Sequence, residues 1–289
     1  MKIYYSSALG RQDKLNRNNI KNILISVFGI KDLEKEIQKN SWMLSKNVSL
    51  MIDNGAFSSW NSNKKIISIE EYTKFCLKFH KKFSSTFKNI YYIGLDDIPG
   101  DRNSIPSKYE IDTSCEITFN NYKYMLDNGC VNVLPVVHQL EDISWLKKYE
   151  EYTDFICIGG IKRNKSNWFD EAFSCIKNTT KLHGLAVTSK SMNEKYPWFS
   201  VDSTSWVAPF AFGRVFDWSF YKLNTIKSVL GMNDNMSLRE FEIKLSLFNN
   251  NLSKEQKSDE QLDYHINALQ KLEKYITQLW TKRGVTWDE

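Results

Sequence analysis

The chain has 289 residues, 42% hydrophobic and 25% charged, a mixture that supports a large buried core and excludes a disordered chain. It holds no run of about 18 apolar residues, hence no membrane span, and its opening stretch, MKIYYSSALGRQD, is too polar for a secretory signal. Lys and Arg exceed Asp and Glu by 39 to 34, while residues 221–289 carry ten of each sign, so the basic surplus belongs to residues 1–220 and suits a polyanionic partner without demanding one.

Short apolar runs bounded by turn residues follow one another along the chain. They are KIYYSSA (2–8), ILISVFG (23–29), SLMIDNG (49–55), NIYYIGLDD (89–97), VNVLPVVHQ (131–139), DFICIGGI (154–161), LHGLAVTS (182–189) and WFSVDST (198–204). They are β-branched and aromatic and nearly continuous, the pattern of parallel strands buried on both faces. Helical spacing lies between them, as in SIEEYTKFCLKFHKKF (68–83) and SNWFDEAFSCI (166–176), where Ser166 or Asn167 is the expected N-cap. Eight strands alternating with helices predict an α/β chain folded as a (β/α)₈ TIM barrel; a doubly wound open sheet shows the same alternation, and the count of eight favours the barrel. From about residue 214 the strand signal stops. FDWSFYKLNTIKSVL, SLREFEIKLSLF and DEQLDYHINALQKLEKYITQLW read as helices, the last two joined by the polar link NNNLSKEQKSDE. The expected organisation is a barrel domain over 1–220 and a helical extension over 221–289 packed on it.

In such a barrel the chemistry sits at the C-terminal strand ends. Those ends read Asp53-Asn54-Gly55, Asp96-Asp97, His138-Gln139, Gly159-Gly160, Thr188-Ser189 and Asp202-Ser203. Each has an ordinary alternative. Asp53-Asn54-Gly55-Ala56 and Asp97-Ile98-Pro99-Gly100 make good turns, and Asp202 could cap a helix. The meeting of three carboxylate positions on one face is what argues for a site.

Other patterns lead elsewhere and fall short. Gly159–Ser166 is one residue from a phosphate-binding GxxxxGK[ST], with Asn164 in place of the second glycine. Cys76 and His80 could be half of a zinc site, but no second cysteine pair completes it, so no metal is expected. The five cysteines, odd in number and without a CxxC, fit free thiols in a reducing cytoplasm. No HxH follows the first strand and no lysine ends the sixth, against metal amidohydrolases and Schiff-base aldolases.

The series MIDNGAFSSW (51–60), GLDDIPG (94–100), PVVHQLED (135–142), ICIGGI (156–161), HGLAVTS (183–189) and YPWFSVDSTSW (196–206) resembles the tRNA-guanine transglycosylase superfamily. It is most similar to the short phage-type branch that places 7-deazaguanines in DNA. The likeness spans about residues 1–215, and HGLAVTS followed by YPWFSVDSTSW is its most specific part. By position, it implies Asp202 as nucleophile and Asp53 as general acid/base. It implies Asp96 or Asp97, His138, Gln139, and Gly159 or Gly160 as the holders of the purine edge. Asn54-Gly55-Ala56 stands where tRNA-type enzymes have Ser-Gly-Gly, and their zinc-binding Cys/His cluster is missing, so DNA is expected over tRNA. Base exchange breaks one N-glycosidic bond and makes an equivalent one, so the implied reaction needs no cofactor beyond the incoming 7-deazaguanine base. A guanine edge offers N1–H and N2–H₂ donors to a carboxylate, and the target nucleotide must be flipped or single-stranded. Arg102, Lys162, Arg163 and Lys165, on loops of the same face, are natural phosphate contacts. The expected setting is the cytoplasm of a phage-infected or prophage-bearing cell, without membrane attachment. The competing readings are the same exchange on tRNA, a barrel glycosidase using Asp53 and Asp202, and an inactive nucleic-acid binder.

Overall fold

A computed structural model describes residues 1–29, 34–35, 46–62, 67–100, 104–139, 141–160, 166–207, 214–217, 222–225 and 254–287. Its centre is an all-parallel sheet built from β1 (Lys2–Tyr5), β2 (Asn22–Ser26), β3 (Ser49–Asp53), β4 (Asn89–Ile93), β5, β6 (Phe155–Gly159), β7 (Lys181–Gly184) and β8 (Ser200–Ser203). β5 comes in two segments, Val133–Leu134 and Val136–His138. β1 pairs with both β2 and β8. Pairing then runs through β3 to β4 on one side and through β7 to β6 on the other. β4 pairs with the first segment of β5 and β6 with the second. The two edge segments are one stretch of chain interrupted at Pro135, so the sheet is a nearly closed barrel of the TIM type. Across the break, the Gly94 N–H donates to the Leu134 carbonyl at 2.8 Å and the Cys157 N–H to the Pro135 carbonyl at 2.8 Å.

All eight expected strands form, each shorter than its apolar run. β7 departs most: it ends at Gly184, so Thr188 and Ser189 do not end a strand. Ser189 instead caps the next helix, its hydroxyl accepting from the Met192 N–H. Side chains alternate across a strand with period two, so each strand feeds two layers. Tyr4, Leu24, Met51, Val136 and Cys157 fill the barrel interior. Ile3, Ile23, Leu50, Ile156 and Val201 pack outward beneath the helices.

The helices are α1 (Gln12–Arg17), α2 (Ala56–Ser62), α3 (Ile69–Phe83), α4 (Lys108–Asp127), α5 (Ser144–Tyr149), α6 (Ser166–Cys175) and α7 (Lys190–Lys195). α3 and α4 each begin with a capping box, Ser68 with Glu71 and Ser107 with Glu110, which satisfies two orphan amides apiece. α6 already includes Ser166, so the helix starts before the expected N-cap.

The C-terminal part needs one correction. Within the expected helix 216–230 the chain forms a two-stranded antiparallel hairpin, β9 (Arg214–Asp217) with β10 (Lys222–Thr225). The register sets Phe216 opposite Leu223 and Asp217 opposite Lys222. The expected helix over 237–248 lies outside the described residues. The last helix, α8 (Lys254–Lys282), starts inside the expected polar link. Its buried residues Leu262, Ile266, Leu269, Leu272 and Ile276 belong to the same core as the barrel's outer layer. Gln270 donates to the Asn18 carbonyl and the Trp280 indole to the Asn193 carbonyl, each at 2.8 Å. α8 therefore spans from α1 to α7, where the eighth outer helix of a barrel sits. Among the described residues, no helix is long and apolar enough to cross a membrane.

Candidate active site

Period two carries each strand's inward side into the barrel mouth. Two residues past Tyr4 comes Ser6, past Leu24 Ser26, past Met51 Asp53, past Val136 His138, and past Cys157 Gly159. On β8 Asp202 is paired in register with Tyr4, and Ser6, two residues beyond Tyr4, reaches its carboxylate. The fold that buries the apolar half of each strand thus raises a polar ring above it.

Asp202 is fixed by two donors. The Ser6 hydroxyl donates to Oδ2 at 2.9 Å, and the Ala186 N–H donates to Oδ1 at 2.7 Å. Ala186 has φ +59°, a left-handed conformation unusual for a residue with a Cβ. The turn after β7 is held in this strained form, and its N–H meets the carboxylate as a result. Below it, the buried His183 ring accepts or donates at Nδ1 with the Ser200 hydroxyl at 2.8 Å, while Nε2 lies 3.6 Å from Asp202 Oδ1.

Asp53 is of a different kind. Desolvation in the mouth and the charges of Asp96 and Asp202 push its pKa up to about 7, against a weaker pull from the Gly55 N–H, 3.2 Å from Oδ2. The turn reading of its motif is also true: the Ala56 N–H donates to Asn54 Oδ1 at 2.7 Å. Gly55 has φ +78°, so the backbone conformation favours glycine, and a Cβ there would also push aside the exposed Phe28 ring.

The two aspartates after β4 part company. Asp96 faces the mouth: Asn54 Nδ2 donates to its Oδ1 at 2.7 Å, and His138 Nε2 lies 2.9 Å from its Oδ2. Asp97 turns outward to α4, where its carboxylate and its carbonyl accept from the Ser114 hydroxyl at 2.7 and 2.6 Å. The other nitrogen of His138 is taken as well, by Glu141 Oε1 at 2.6 Å. The two carboxylates outweigh burial, which alone would lower the imidazole pKa, and hold it up at about 10. With both nitrogens occupied, His138 reaches a ligand through Asp96.

Gln139 is buried beside this group, its N–H donating to the Gly159 carbonyl at 3.2 Å. A Cβ on Gly159 would come 3.2 Å from the His138 ring, so glycine leaves room for the imidazole; Gly160, at φ +72°, begins the loop. Arg102, Lys162, Arg163 and Lys165 lie outside the described residues. Deep in the barrel, the Cys157 thiol is pushed well above its usual pKa by burial and then by Asp202, Asp96 and Asp53. One side chain feels all three carboxylates, so they share one mouth.

Sequence reasoning passed over Ser6, Glu141, His183 and Ala186. Ser6 was readable from the period of KIYYSSA and Glu141 from its place three residues after His138. The Ala186 N–H leaves no trace in sequence, since every residue but proline has one. Among the described residues, no group of three or more His, Cys, Asp or Glu side chains is placed to hold a metal. A cavity of about 680 Å³ opens at the opposite end of the barrel, between β1 and α8, and none of the sequence-selected residues lines it. No protein-family model and no curated protein matches the chain.

The arrangement supplies three functions within one mouth. A carboxylate fixed by two donors keeps its remaining lone pairs for an electrophile. A second, with its pKa near neutrality, can give and take a proton. A third, doubly supported from behind, can accept hydrogen bonds from a planar ligand.

Proposed function

We propose that this chain is a base-exchange transglycosylase that replaces guanine in DNA with a 7-deazaguanine base. The observation that carries the reading is the division of labour between two carboxylates in one barrel mouth, Asp202 fixed by the Ser6 and Ala186 donors and Asp53 lifted by burial and neighbouring charge to about 7. Asp202 attacks C1′ of a flipped nucleotide. The C1′–N9 bond breaks, and the departing guanine takes its proton from Asp53. The incoming base gives a proton back to Asp53, its N9 bonds to C1′, and the ester to Asp202 breaks. Bonds and protons balance over the cycle, so nothing beyond the second base is consumed. Asp96 accepts from N1–H and N2–H₂ of the bound purine, and Gln139 lies beside it. The loop cations Arg102, Lys162, Arg163 and Lys165 are assigned to the polynucleotide backbone, and the cytoplasm of an infected or lysogenic cell is the matching setting.

The deciding experiment incubates the protein with radiolabelled guanine and either duplex DNA or tRNA. Label entering DNA supports the reading, and label entering tRNA alone moves the substrate. Label in neither, with a free sugar released from a small glycoside, would make the chain a glycosidase.

A further inference from the structure

We infer that the buried array Asp96–His138–Glu141 sets base selectivity, by keeping Asp96 a carboxylate that accepts a two-donor purine edge and turns away an adenine edge. The inference rests on the transglycosylase reading and concerns the same mouth. Its basis is geometric. His138 is buried with one carboxylate on each nitrogen, at 2.9 Å to Asp96 and 2.6 Å to Glu141, and an imidazole fills both contacts as a donor only when it carries two protons. Glu141 is itself buried, and the Trp168 indole donates to its carbonyl at 2.8 Å, fixing the loop that carries it. The array therefore holds one cation between two anions, and the ligand meets only its Asp96 end.

The consequence for recognition follows from hydrogen counting. An ionised Asp96 has only acceptors, which match N1–H and N2–H₂ of a 2-amino-6-oxopurine. Adenine presents an acceptor at N1 beside a donor at N6, so its N1 lone pair would face a carboxylate oxygen. A protonated Asp96 has one donor and one acceptor and fits that adenine edge. Among the described residues, the groups that face the array bring no second positive charge: Asp53 and Asp202 share the mouth with Asp96, and Cys115 and Tyr149 lie near Glu141. His138 is the one cation placed between the two carboxylates.

The test compares binding of guanine, hypoxanthine and adenine by calorimetry in wild type and His138→Gln, from about pH 6 to about pH 9, a range that spans the shifts expected of buried carboxylates. Wild type should bind guanine evenly across the range and reject adenine. His138→Gln keeps a donor but loses the charge, so guanine binding at the acid end should fall about 10- to 100-fold, the worth of one bidentate base contact. It should recover as pH rises, and adenine binding should emerge at the acid end. Unchanged selectivity and an unchanged pH profile in the variant would overturn the inference alone. A wild type that binds none of the three bases would overturn the functional reading and this inference with it. Imidazole-nitrogen NMR of the wild type decides even if the variant fails to fold: His138 should be doubly protonated at neutral pH, and a singly protonated ring there removes the basis of the inference.

Discussion

At the scale of single residues, the mouth holds one carboxylate fixed by two donors and another lifted toward neutrality, and two substitutions to asparagine test the nucleophile and acid/base roles proposed for them. Asp202→Asn keeps the shape and, through its amide oxygen, the Ala186 contact, with the Ser6 hydroxyl turning to accept from the amide nitrogen, while removing the proposed nucleophile. It should abolish the denaturation-resistant adduct with a polynucleotide, and binding should survive. Asp53→Asn should still permit some adduct but slow exchange by about 10²–10⁴-fold, the usual worth of positioned proton transfer. Gel analysis of adduct alongside exchange rate reads both; a normal adduct from Asp202→Asn with none from Asp53→Asn would reverse the roles. Asp53 must be protonated as one base leaves and ionised as the next arrives, and its pKa is raised to about 7. Exchange should therefore peak near neutrality and decline on both sides, and the Asp53→Asn residual rate should lose that peak.

At the scale of elements, the turn after β7 and the helix α8 carry the sharpest expectations. A Cβ on Gly184 would lie 2.6 Å from Val187 Cγ2 and 3.1 Å from the Trp198 ring. Gly184→Ala should cost about 1–3 kcal/mol by overpacking. It should also impair adduct formation, because the displaced turn carries the Ala186 N–H. Leu269 is fully buried on α8, and Leu269→Ala should cost about 2–5 kcal/mol in denaturant unfolding. A loss below 1 kcal/mol would mean that α8 does not share the barrel's core. The elements also explain what sequence could and could not reveal. Eight strands were legible because a buried parallel strand needs an unbroken apolar run whatever its neighbours are. The strand pair 214–217 and 222–225 was misread because antiparallel pairing is a relation between two segments, which the helical spacing within one segment does not encode. Asp53 and Asp202 were legible as polar endings of apolar runs. Asp96 could not be told from Asp97, since only the bend after β4 decides which faces inward and which meets Ser114.

At the scale of the whole molecule, the buried titrating groups pull in opposite directions. Burial raises Asp53 and Glu273 to about 7, and carboxylate partners raise His138 to about 10, while burial lowers His265 to about 4 and the Met1 ammonium to about 5. Between about pH 4 and 8 the two carboxylates lose stability as the imidazole of His265 and the chain terminus gain it, so these contributions offset one another. The His138 contribution is complete below its unfolded pKa of 6.5 and is lost as pH rises through about 10. Urea unfolding should therefore show its clearest decline on the alkaline side, toward about pH 10, and His138→Gln should remove it. A stability maximum at alkaline pH would contradict this account.

The interruption of β5 at Pro135 divides the barrel wall into two inheritances. Proline offers no amide hydrogen, so the ladder changes partner there, from β4 to β6, within the arc that bears Asp96, His138 and Gly159. Asp202, with its supports just after β1 and after β7, stands on uninterrupted pairing across the barrel. A small shift of β5 would leave those ladders intact. On the proposed reading, descendants of this chain can exchange one base preference for another by altering the seam, while the arc assigned to bond breaking is passed on unchanged.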